Sequence, residues 1–451
     1  MTPPGQLRFR QQANEATHAV LDSLPQLAHR ALVVEAPPGA GKSTLVTQAA
    51  ATLTQTSGPC VVIAQTNNQV DHLVRRFAQD HPRLRIARLT GIEHDAPDDL
   101  RKHPRIRIST RIEDLEPSAD VIVGTAMKWA TVTGRQWPWA VIDEAYQMRS
   151  DMLLRTAGLF DKILFVGDPG QLDPFSSIQT DRFAQLDHDP MNSAVAVLLA
   201  HNPDLPVHQL PVSWRLPPSA VPLVSGAFYS TPFHAGSSEN DRTLTLTVPG
   251  MRTPVDRVIE HAARTGWALF ELPARITHHL DSEAHHTILD IAEHLMVRGT
   301  VTRSEESPQG HALRPDGIAI GTTHSRQAQH IRALQARHYP LLHGITVDTA
   351  NRLQGSEHSI TLVLHPLSGR ADASAFHLEA GRLCVLTSRH RHACIVVARA
   401  GITELLDVHP SSDLARPGPG CTAPDGWQAH HTVLAHLSGH TVHAATQPRR
   451  D

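Results

Sequence analysis

The sequence has too few cysteines for a disulfide-stabilised fold. Its four cysteines, Cys60, Cys384, Cys394 and Cys421, are scattered along the chain, and no Cys-x-x-Cys pair occurs. This pattern argues against a disulfide framework and against a zinc site built from paired cysteines. We therefore expect an intracellular protein.

Long apolar runs are also missing. No window approaches the ~18 apolar residues that a membrane-spanning helix requires. The N-terminal sequence MTPPGQLRFRQQ contains no apolar signal core. We expect a cytoplasmic protein with no membrane partner.

A large excess of positive charge is absent as well, since the net charge is -3. One segment, residues 100–112 (LRKHPRIRISTRI), is nevertheless basic and contains no acidic residue. Such a run suits contacts with nucleic-acid phosphates, for which Arg105 and Arg107 are our candidates. A solvated strand or loop face explains the same charges equally well.

Histidine is abundant, with 32 copies, and its densest patch surrounds Asp281 and Glu283. The patch consists of His278, His279, His285 and His286. Metal binding would require these side chains to converge on one point. The alternative is an ordinary polar helix.

Residues 31–44, ALVVEAPPGAGKST, carry the clearest chemical signal. An apolar strand, a small-residue turn and a helix start form a P-loop, in which bare backbone N–H groups surround phosphates. Lys42 would contact the β- and γ-phosphates, and the Ser43 hydroxyl would bind the Mg²⁺ of a nucleotide. The remaining loop positions of this site are Gly39, Ala40, Gly41 and Thr44. A glycine-rich turn before an ordinary helix is the alternative.

An acidic pair ends another apolar run, WAVIDE, at Asp143 and Glu144. The carboxyl edge of a parallel sheet is where such folds place catalytic groups. Asp143 is suited to hold Mg²⁺ and Glu144 to activate the attacking water. In the next run, ILFVGDPGQLDP, Gln171 could sense a γ-phosphate, although turn chemistry explains Gly167 to Gly170 equally well.

The apolar runs recur in a strand–helix–strand rhythm that predicts two α/β domains with parallel sheets. We expect residues 1–205 to form an ATP-binding domain, which opens with a helix over residues 7–30. Gln11 or Gln12 of that helix could read an adenine edge or lie on the surface as an ordinary glutamine. Of the two, Gln12 is our candidate.

Residues 206–405 should form the second domain, and residues 406–451 a Pro/Gly-rich linker with a C-terminal helix that packs on that domain. The second domain has no P-loop of its own. It would be most useful if it supplied positive charge to the nucleotide of the first, and Arg215 and Arg389 are the arginines we assign to that role.

These segments, taken in order, resemble those of superfamily 1 helicases, specifically the branch of the nonsense-mediated-decay RNA helicase. The most specific match is DEAYQ at residues 143–147, which resembles the DEAxQ form of the Walker B motif. GDPGQLDP at residues 167–174 is similar to the family motif GDxxQLxP. The resemblance covers about residues 10–400 and implies two RecA-like P-loop NTPase domains with the nucleotide cleft between them.

The resemblance also implies roles for single residues. Gln147 of the DEAxQ motif and Gly355 and Glu357 of DTANRLQGSE would bind the nucleotide, with Glu357 on its ribose. Arg215 and Arg389 would be arginine fingers. The residues that would bind a single strand of nucleic acid are Thr66, Asn67, Thr125, Thr349 and Gln354.

The sequence departs from this family in several places. Ser388 stands where a threonine is usual, Cys384 where an asparagine is usual, and Trp214 replaces a tyrosine. Only residues 74–119 separate AQTNNQVDHL from DVIVGT, where processive relatives carry large insertions. Strand separation is therefore less well supported than ATP hydrolysis.

We expect an ATP- and Mg²⁺-dependent helicase or translocase that acts on single-stranded DNA or RNA. The alternative is an ATP-gated switch, or an accessory ATPase, that binds nucleic acid without unwinding it. We expect a monomer and leave a protein partner open.

Overall fold

The computed structural model describes residues 4–174, 190, 192–277, 280–410 and 424–444. These residues fall into two compact units. The N-terminal unit comprises residues 10–169 and 173–211, and the C-terminal unit comprises residues 1–9, 170–172 and 212–451. The short segment 170–172, which contains Gln171, therefore groups with the C-terminal unit.

The N-terminal unit alternates strands and helices. Its strands are β1 (Ala31–Glu35), β2 (Cys60–Ala64), β3 (Ile86–Leu89), β4 (Ile106–Ser109), β5 (Val121–Thr125), β6 (Trp137–Asp143), β7 (Phe160–Gly167) and β8 (Val207–Gln209). Its helices are α1 (Pro4–Ser23), α2 (Lys42–Thr56), α3 (Asn67–Asp80), α4 (Asp98–Arg101), α5 (Ala126–Trp129), α6 (Ser150–Thr156) and α7 (Ala194–His201). Helix α1 ends seven residues before the predicted limit at residue 30.

The eight strands form one parallel sheet in the order β4-β3-β5-β2-β6-β7-β1-β8. Successive side chains of a strand point to opposite faces. Leu32 and Val34 of β1 accordingly join one apolar cluster, and Ala31 and Val33 join another. Burial on both faces explains why these strands appear as continuous apolar runs.

Strands β3 and β4 fill the short segment between the third helix and β5. Strand β3 pairs with β5, and β4 pairs with β3, so both extend the edge of the main sheet. The segment that replaces the insertions of processive helicases is thus part of the domain's own sheet.

The C-terminal unit contains a second set of strands and helices. Its strands are β9 (Val212–Ser213), β10 (His234–Ala235), β11 (Thr243–Leu246), β12 (Trp267–Leu272), β13 (Thr300–Arg303), β14 (His311–Ala312), β15 (Ile318–Thr322), β16 (Thr346–Thr349), β17 (His358–Leu364), β18 (His390–Arg399) and β19 (Thr441–His443). Its helices are α8 (Val221–Phe228), α9 (Pro254–Thr265), α10 (Ser282–Val297), α11 (Ser325–His338), α12 (Ala350–Leu353), α13 (Ala375–Leu378), α14 (Ala380–Thr387), α15 (Ile402–Val408) and α16 (Gly426–Ser438).

A six-stranded parallel sheet forms the centre of this unit, in the order β16-β15-β17-β18-β12-β19. Apolar clusters cover both of its faces. A separate antiparallel sheet, β11-β13-β14, was not predicted from the sequence. Two parallel sheets flanked by helices are the α/β architecture that the sequence predicts, with two RecA-like domains.

The boundaries differ in detail from the expected ones. The N-terminal unit continues to Pro211 rather than to residue 205, because β8 pairs with β1 of the first sheet. Helix α16 packs against α8 and α14, and β19 adds an edge strand to the second sheet. Within the linker segment, residues 411–423, including Cys421, lie outside the described residues.

The remaining expectations concern composition. Cys60, Cys384 and Cys394 are buried. His278 and His279 lie outside the described residues, whereas His285 is buried with its Nδ1 2.7 Å from that of His330. The described part of the chain has no metal-binding group of three or more His, Cys, Asp or Glu side chains. None of its helices is long and apolar enough to span a membrane.

Candidate nucleotide and nucleic-acid site

The phosphate loop lies between β1 and α2. Gly39 has a φ of 73° and Gly41 a φ of 91°. Both angles are in the left-handed region that L side chains rarely adopt, so glycine permits the turn that starts α2 at Lys42. Helix α2 spans 15 residues, and its N-terminal N–H groups form the positive end of a helix dipole beside the loop.

Lys42 has two oxygen partners in this structure. Its Nζ lies 3.1 Å from the carbonyl oxygen of Ala36 and 3.2 Å from Oδ2 of Asp168. The Asp168 carboxylate is fully buried and the lysine side chain is 10% exposed. Asp168 therefore balances the charge of Lys42, a role hidden in the sequence by its position in a Gly-Asp-Pro-Gly turn.

The acidic pair stands at the carboxyl end of β6, as predicted. Asp143 is 4% exposed, and its Oδ1 accepts a hydrogen bond from the Glu144 backbone N–H at 3.0 Å. Burial and, next, the charge of Glu144 raise the Asp143 pKa to about 7, while Lys42 and Arg76 oppose the shift. Because burial disfavours the ionised form of Asp143, a bound cation would stabilise that ionised carboxylate.

Glu144 has an unusual backbone conformation, with a φ of 49° and a ψ of 48°. For a residue other than glycine this left-handed conformation costs roughly 1–3 kcal/mol, and such strain concentrates at functional sites. The side chain is oriented by Gln147, whose Nε2 donates to Oε2 of Glu144 at 3.2 Å. Gln147 thus contacts the proposed base, and its contact with a nucleotide stays a prediction.

Several neighbours that the sequence motifs did not single out hold these groups in place. Gln65 Nε2 donates to the Asp143 carbonyl oxygen at 3.3 Å, and Arg76 Nη2 donates to Thr44 Oγ1 at 2.6 Å. Tyr146, the variable residue of DEAYQ, donates from its hydroxyl to Oε1 of Glu35 at 2.6 Å. These bonds tie the region after β6 to the ends of β1 and β2, and the start of α2 to α3.

The donor set fits a magnesium nucleotide. Mg²⁺ commonly uses one or two carboxylates and a hydroxyl, and takes its other ligands from phosphates and water. Asp143 supplies a buried carboxylate, and half-buried Ser43 is the second residue of α2. At the predicted adenine contact, the half-buried Gln12 has a buried Oε1 that lacks a hydrogen-bond partner within the described residues.

Three predicted nucleic-acid contacts lie at the ends of two adjacent strands. Ala64 pairs with Thr125 across β2 and β5, which brings Thr125 near Thr66 and Asn67. The two threonine hydroxyls cap α3 and α5, and the Asn67 Oδ1 accepts a bond from Arg88 at 3.2 Å. Exposed Thr66 and half-buried Asn67 begin a helix whose N-terminus could face a phosphate.

Arg105 does not fit its predicted role. Its guanidinium donates to the carbonyl oxygens of Ala78 and His81 at the C-terminus of α3. Those carbonyls have no partner within the helix, so the arginine caps α3 instead of pointing to an external phosphate.

The rest of the basic segment is also balanced locally. Arg107 is exposed and donates to Ser118 Oγ at 2.7 Å. Acidic partners from outside the run pair with its other charges, as Asp95 does with Arg101 and Asp98 with Lys102. Because the one side-chain partner of exposed Arg107 within the described residues is a neutral hydroxyl, its contact with a phosphate stays a prediction, as does the alternative of a solvated strand face.

In the C-terminal unit, Arg215 and Glu357 are in contact. Arg215 is 9% exposed, and its Nε donates to Oε2 of Glu357 at 3.0 Å. Burial alone would raise the Glu357 pKa, but Arg215, Arg391 and Arg242 outweigh it and hold the pKa below its usual value. The two predicted nucleotide-binding residues therefore form a charged pair.

Arg389 is enclosed, with 1% of its surface exposed, and its Nη2 donates to Ser388 Oγ at 2.8 Å. A contact with phosphate would require this guanidinium to become exposed. Its assignment as an arginine finger is therefore the least supported of the six catalytic predictions.

The remaining predicted residues lie near the end of β16. Thr349 is the N-cap residue of α12, and Gly355 has a φ of 83° that favours glycine. Gln354 Nε2 donates to Oε1 of Gln171 at 3.1 Å, and Gln171 is 7% exposed. The proposed γ-phosphate sensor and a proposed nucleic-acid contact are thus joined by a direct hydrogen bond.

The chain matches two family models. Residues 12–194 match a model described as an AAA domain, and residues 192–401 match a second model with the same description. No curated protein matches the sequence.

Similar solved structures are viral helicases. Arterivirus nonstructural protein 10 (helicase) shares 12% identity at a TM-score of 0.43, over 86% of this chain and 61% of that one. Its complex with DNA shares 12% identity at a TM-score of 0.43, over 88% and 65% of the two chains. For PRRSV helicase the values are 13% identity and a TM-score of 0.41, over 96% and 66%.

This chain thus spans less than two thirds of the length of the helicases it matches. The first AAA match contains the P-loop and the acidic pair, and the second contains Arg215, Glu357 and Arg389. Together, the two matches cover residues 12–401, so most of the chain resembles AAA domains.

Proposed function

We propose that this protein hydrolyses ATP with Mg²⁺ and uses the energy to move along a single strand of DNA or RNA or to unwind a duplex. The observation that carries the proposal is the site around Lys42, where a left-handed glycine loop, a buried Asp143 and a strained Glu144 occur together. The order of motifs supports the branch of superfamily 1 helicases that carries DEAxQ.

Each side chain has a distinct task in the proposed reaction. Lys42 leaves Asp168 to bind the β- and γ-phosphates, and Ser43 and Asp143 hold the cation. When bound, Mg²⁺ neutralises charge on the phosphates. Glu144 orients and deprotonates the attacking water, while Gln171 senses the γ-phosphate. Arg215, with Arg389 if it becomes exposed, stabilises negative charge in the transition state.

The strained Glu144 gives a direct test of this assignment. The variant Glu144→Gln keeps the size and hydrogen-bonding capacity of the side chain but cannot accept a proton as a carboxylate does. It should bind a fluorescent ATP analogue like the wild type and hydrolyse ATP at least about a hundredfold more slowly, as expected for loss of a general base. Hydrolysis at the wild-type rate would refute the role of Glu144.

The second candidate is an ATP-gated switch that binds nucleic acid without separating strands. It is favoured by β3 and β4, which build the segment before β5 into the main sheet. A strand-displacement assay run beside an ATPase assay separates the two candidates. A helicase displaces a labelled strand when ATP is added, whereas a switch hydrolyses ATP in response to nucleic acid and leaves the duplex intact.

A further inference from the structure

An ionic network surrounds Glu357 in the C-terminal unit. Its Oε2 accepts a hydrogen bond from Arg215 Nε at 3.0 Å, and its Oε1 lies 3.0 Å from Arg391 Nη1. Arg391 Nη1 also lies 3.2 Å from Glu306. Both carboxylate oxygens of Glu357 therefore have an arginine partner.

The network uses one of the three guanidinium nitrogens of Arg215. Glu357 uses the Nε of Arg215, and the two Nη groups have no hydrogen-bond partner within the described ranges. These Nη groups are the donors that bind a phosphate in a forked geometry. Glu357 thus holds the guanidinium at Nε without using either Nη group.

The backbone of Arg215 is fixed as well. Arg242 donates to the carbonyl oxygens of Trp214 and Arg215, and its Nε donates to Glu305 at 3.1 Å. Glu305 and Glu306 lie in the connection from β13 to β14, so the unpredicted antiparallel sheet delivers both acids. Arg215 is held at its carbonyl by Arg242 and at its guanidinium by Glu357.

The positive and negative charges of these paired side chains are equal in number. The network contains three arginines (Arg215, Arg242, Arg391) and three glutamates (Glu305, Glu306, Glu357). Burial lowers the pKa of His390 to about 3 and that of His392 to about 4, so both imidazoles stay neutral near pH 7. Removal of Arg391 would leave Glu357 with Arg215 as its one direct ionic partner in the described part of the chain.

The geometry points to Glu357 and Arg391 as positioning residues for Arg215, with Arg391 anchoring the carboxylate that orients the Arg215 guanidinium. This inference rests on the proposed ATP hydrolysis. It is an alternative to the ribose contact predicted for Glu357, whose two oxygens each already have an arginine partner.

Steady-state ATPase kinetics test this role with Glu357→Ala, Arg391→Ala and the double variant. Each single variant should lower kcat roughly 10- to 100-fold, the scale of a misplaced reactive group, with little change in KM for ATP. The double variant should be no slower than Glu357→Ala alone, because both changes disrupt one linkage. Arg391→Lys should recover part of the loss. Arg314→Ala, at an arginine whose side chain is 78% exposed, is the control that should match the wild type.

A comparison of ATP with 2′-deoxy-ATP and 3′-deoxy-ATP separates positioning from ribose binding. If Glu357 positions Arg215, Glu357→Ala keeps the wild-type preference among the three nucleotides. A preference that disappears in Glu357→Ala, a rise in KM with kcat unchanged, or a wild-type kcat in Arg391→Ala would overturn the inference. An absence of turnover in the wild type would instead refute the proposed function. Circular dichroism spectra of all variants establish that they are folded.

Discussion

Replacing Asp143 with asparagine should stabilise the nucleotide-free protein. Burial of the carboxylate raises its pKa from 3.8 to about 7. The folded state therefore holds a proton that the unfolded chain releases near pH 4, and the folded protein loses stability as the pH rises from about 4 to about 7. At 1.36 kcal/mol per pKa unit, this loss reaches at most about 4 kcal/mol at pH 8. Asparagine removes the titration and keeps an oxygen that accepts the Glu144 N–H bond.

Urea unfolding of the wild type and Asp143→Asn at about pH 5.5 and about pH 8 measures the effect. The variant should be the more stable protein, by a margin that grows by about 2 kcal/mol between the two pH values. A margin that does not grow, or a variant less stable than the wild type at pH 8, would refute the reasoning. Mg²⁺ with a non-hydrolysable ATP analogue should raise the stability of the wild type and have less effect on the variant.

Asp256→Asn is a control for which the change in unfolding free energy at pH 8 should have the opposite sign. Although its burial opposes the shift, hydrogen bonds from Thr253, Arg298 and the Met251 N–H lower the Asp256 pKa to about 2. A depressed pKa stabilises the folded protein above about pH 4 and ceases to do so as the pH falls towards 2. Asp256→Asn should therefore lower the unfolding free energy at pH 8.

Three more predictions follow from single contacts. Lys42→Ala should abolish ATP turnover, whereas Lys102→Ala, at an exposed lysine, should leave basal turnover unchanged in a phosphate-release assay. Arg105→Ala should lower the urea midpoint, with a loss of about 1–2 kcal/mol at the end of α3, and leave oligonucleotide affinity in fluorescence anisotropy within about twofold. Burial lowers the His430 pKa to about 4 and that of His365 well below 6.5, so the unfolded chain binds more protons than the folded protein at acidic pH. Acidification from about pH 6.5 to 4 should therefore destabilise the wild type, as measured by calorimetry, and should destabilise His430→Gln less.

The sheets could be predicted because their strands are buried on both faces. Runs such as VVIA before Gln65 and WAVI before Asp143 are apolar throughout, which is typical of parallel strands covered by helices. Strands β11 and β13 were missed because TLTL and TVTR are short and half polar. Their small sheet forms through contacts between residues far apart in sequence.

Candidate site residues could be picked from the sequence where the local pattern suggests one chemical role. Examples are Lys42, which follows a glycine-rich loop, and the acidic pair, which follows a buried strand. The site could not be predicted where the partner of a charge decides its role. Arg105 was predicted to contact a phosphate because nothing in the basic run indicates that the C-terminal carbonyl groups of α3 lie beside it. Asp168 was interpreted as a turn residue because its hydrogen bond to Lys42 joins two loops that are distant in the sequence, and the sequence alone does not show such a contact.

The rate of ATP hydrolysis by the purified protein, measured with and without matched single-stranded DNA and RNA oligonucleotides, tests the central claim most directly. We predict Mg²⁺-dependent turnover that rises many-fold with at least one of the two nucleic acids and is lost in Lys42→Ala. Turnover that is the same with and without both oligonucleotides would contradict a nucleic-acid-driven ATPase.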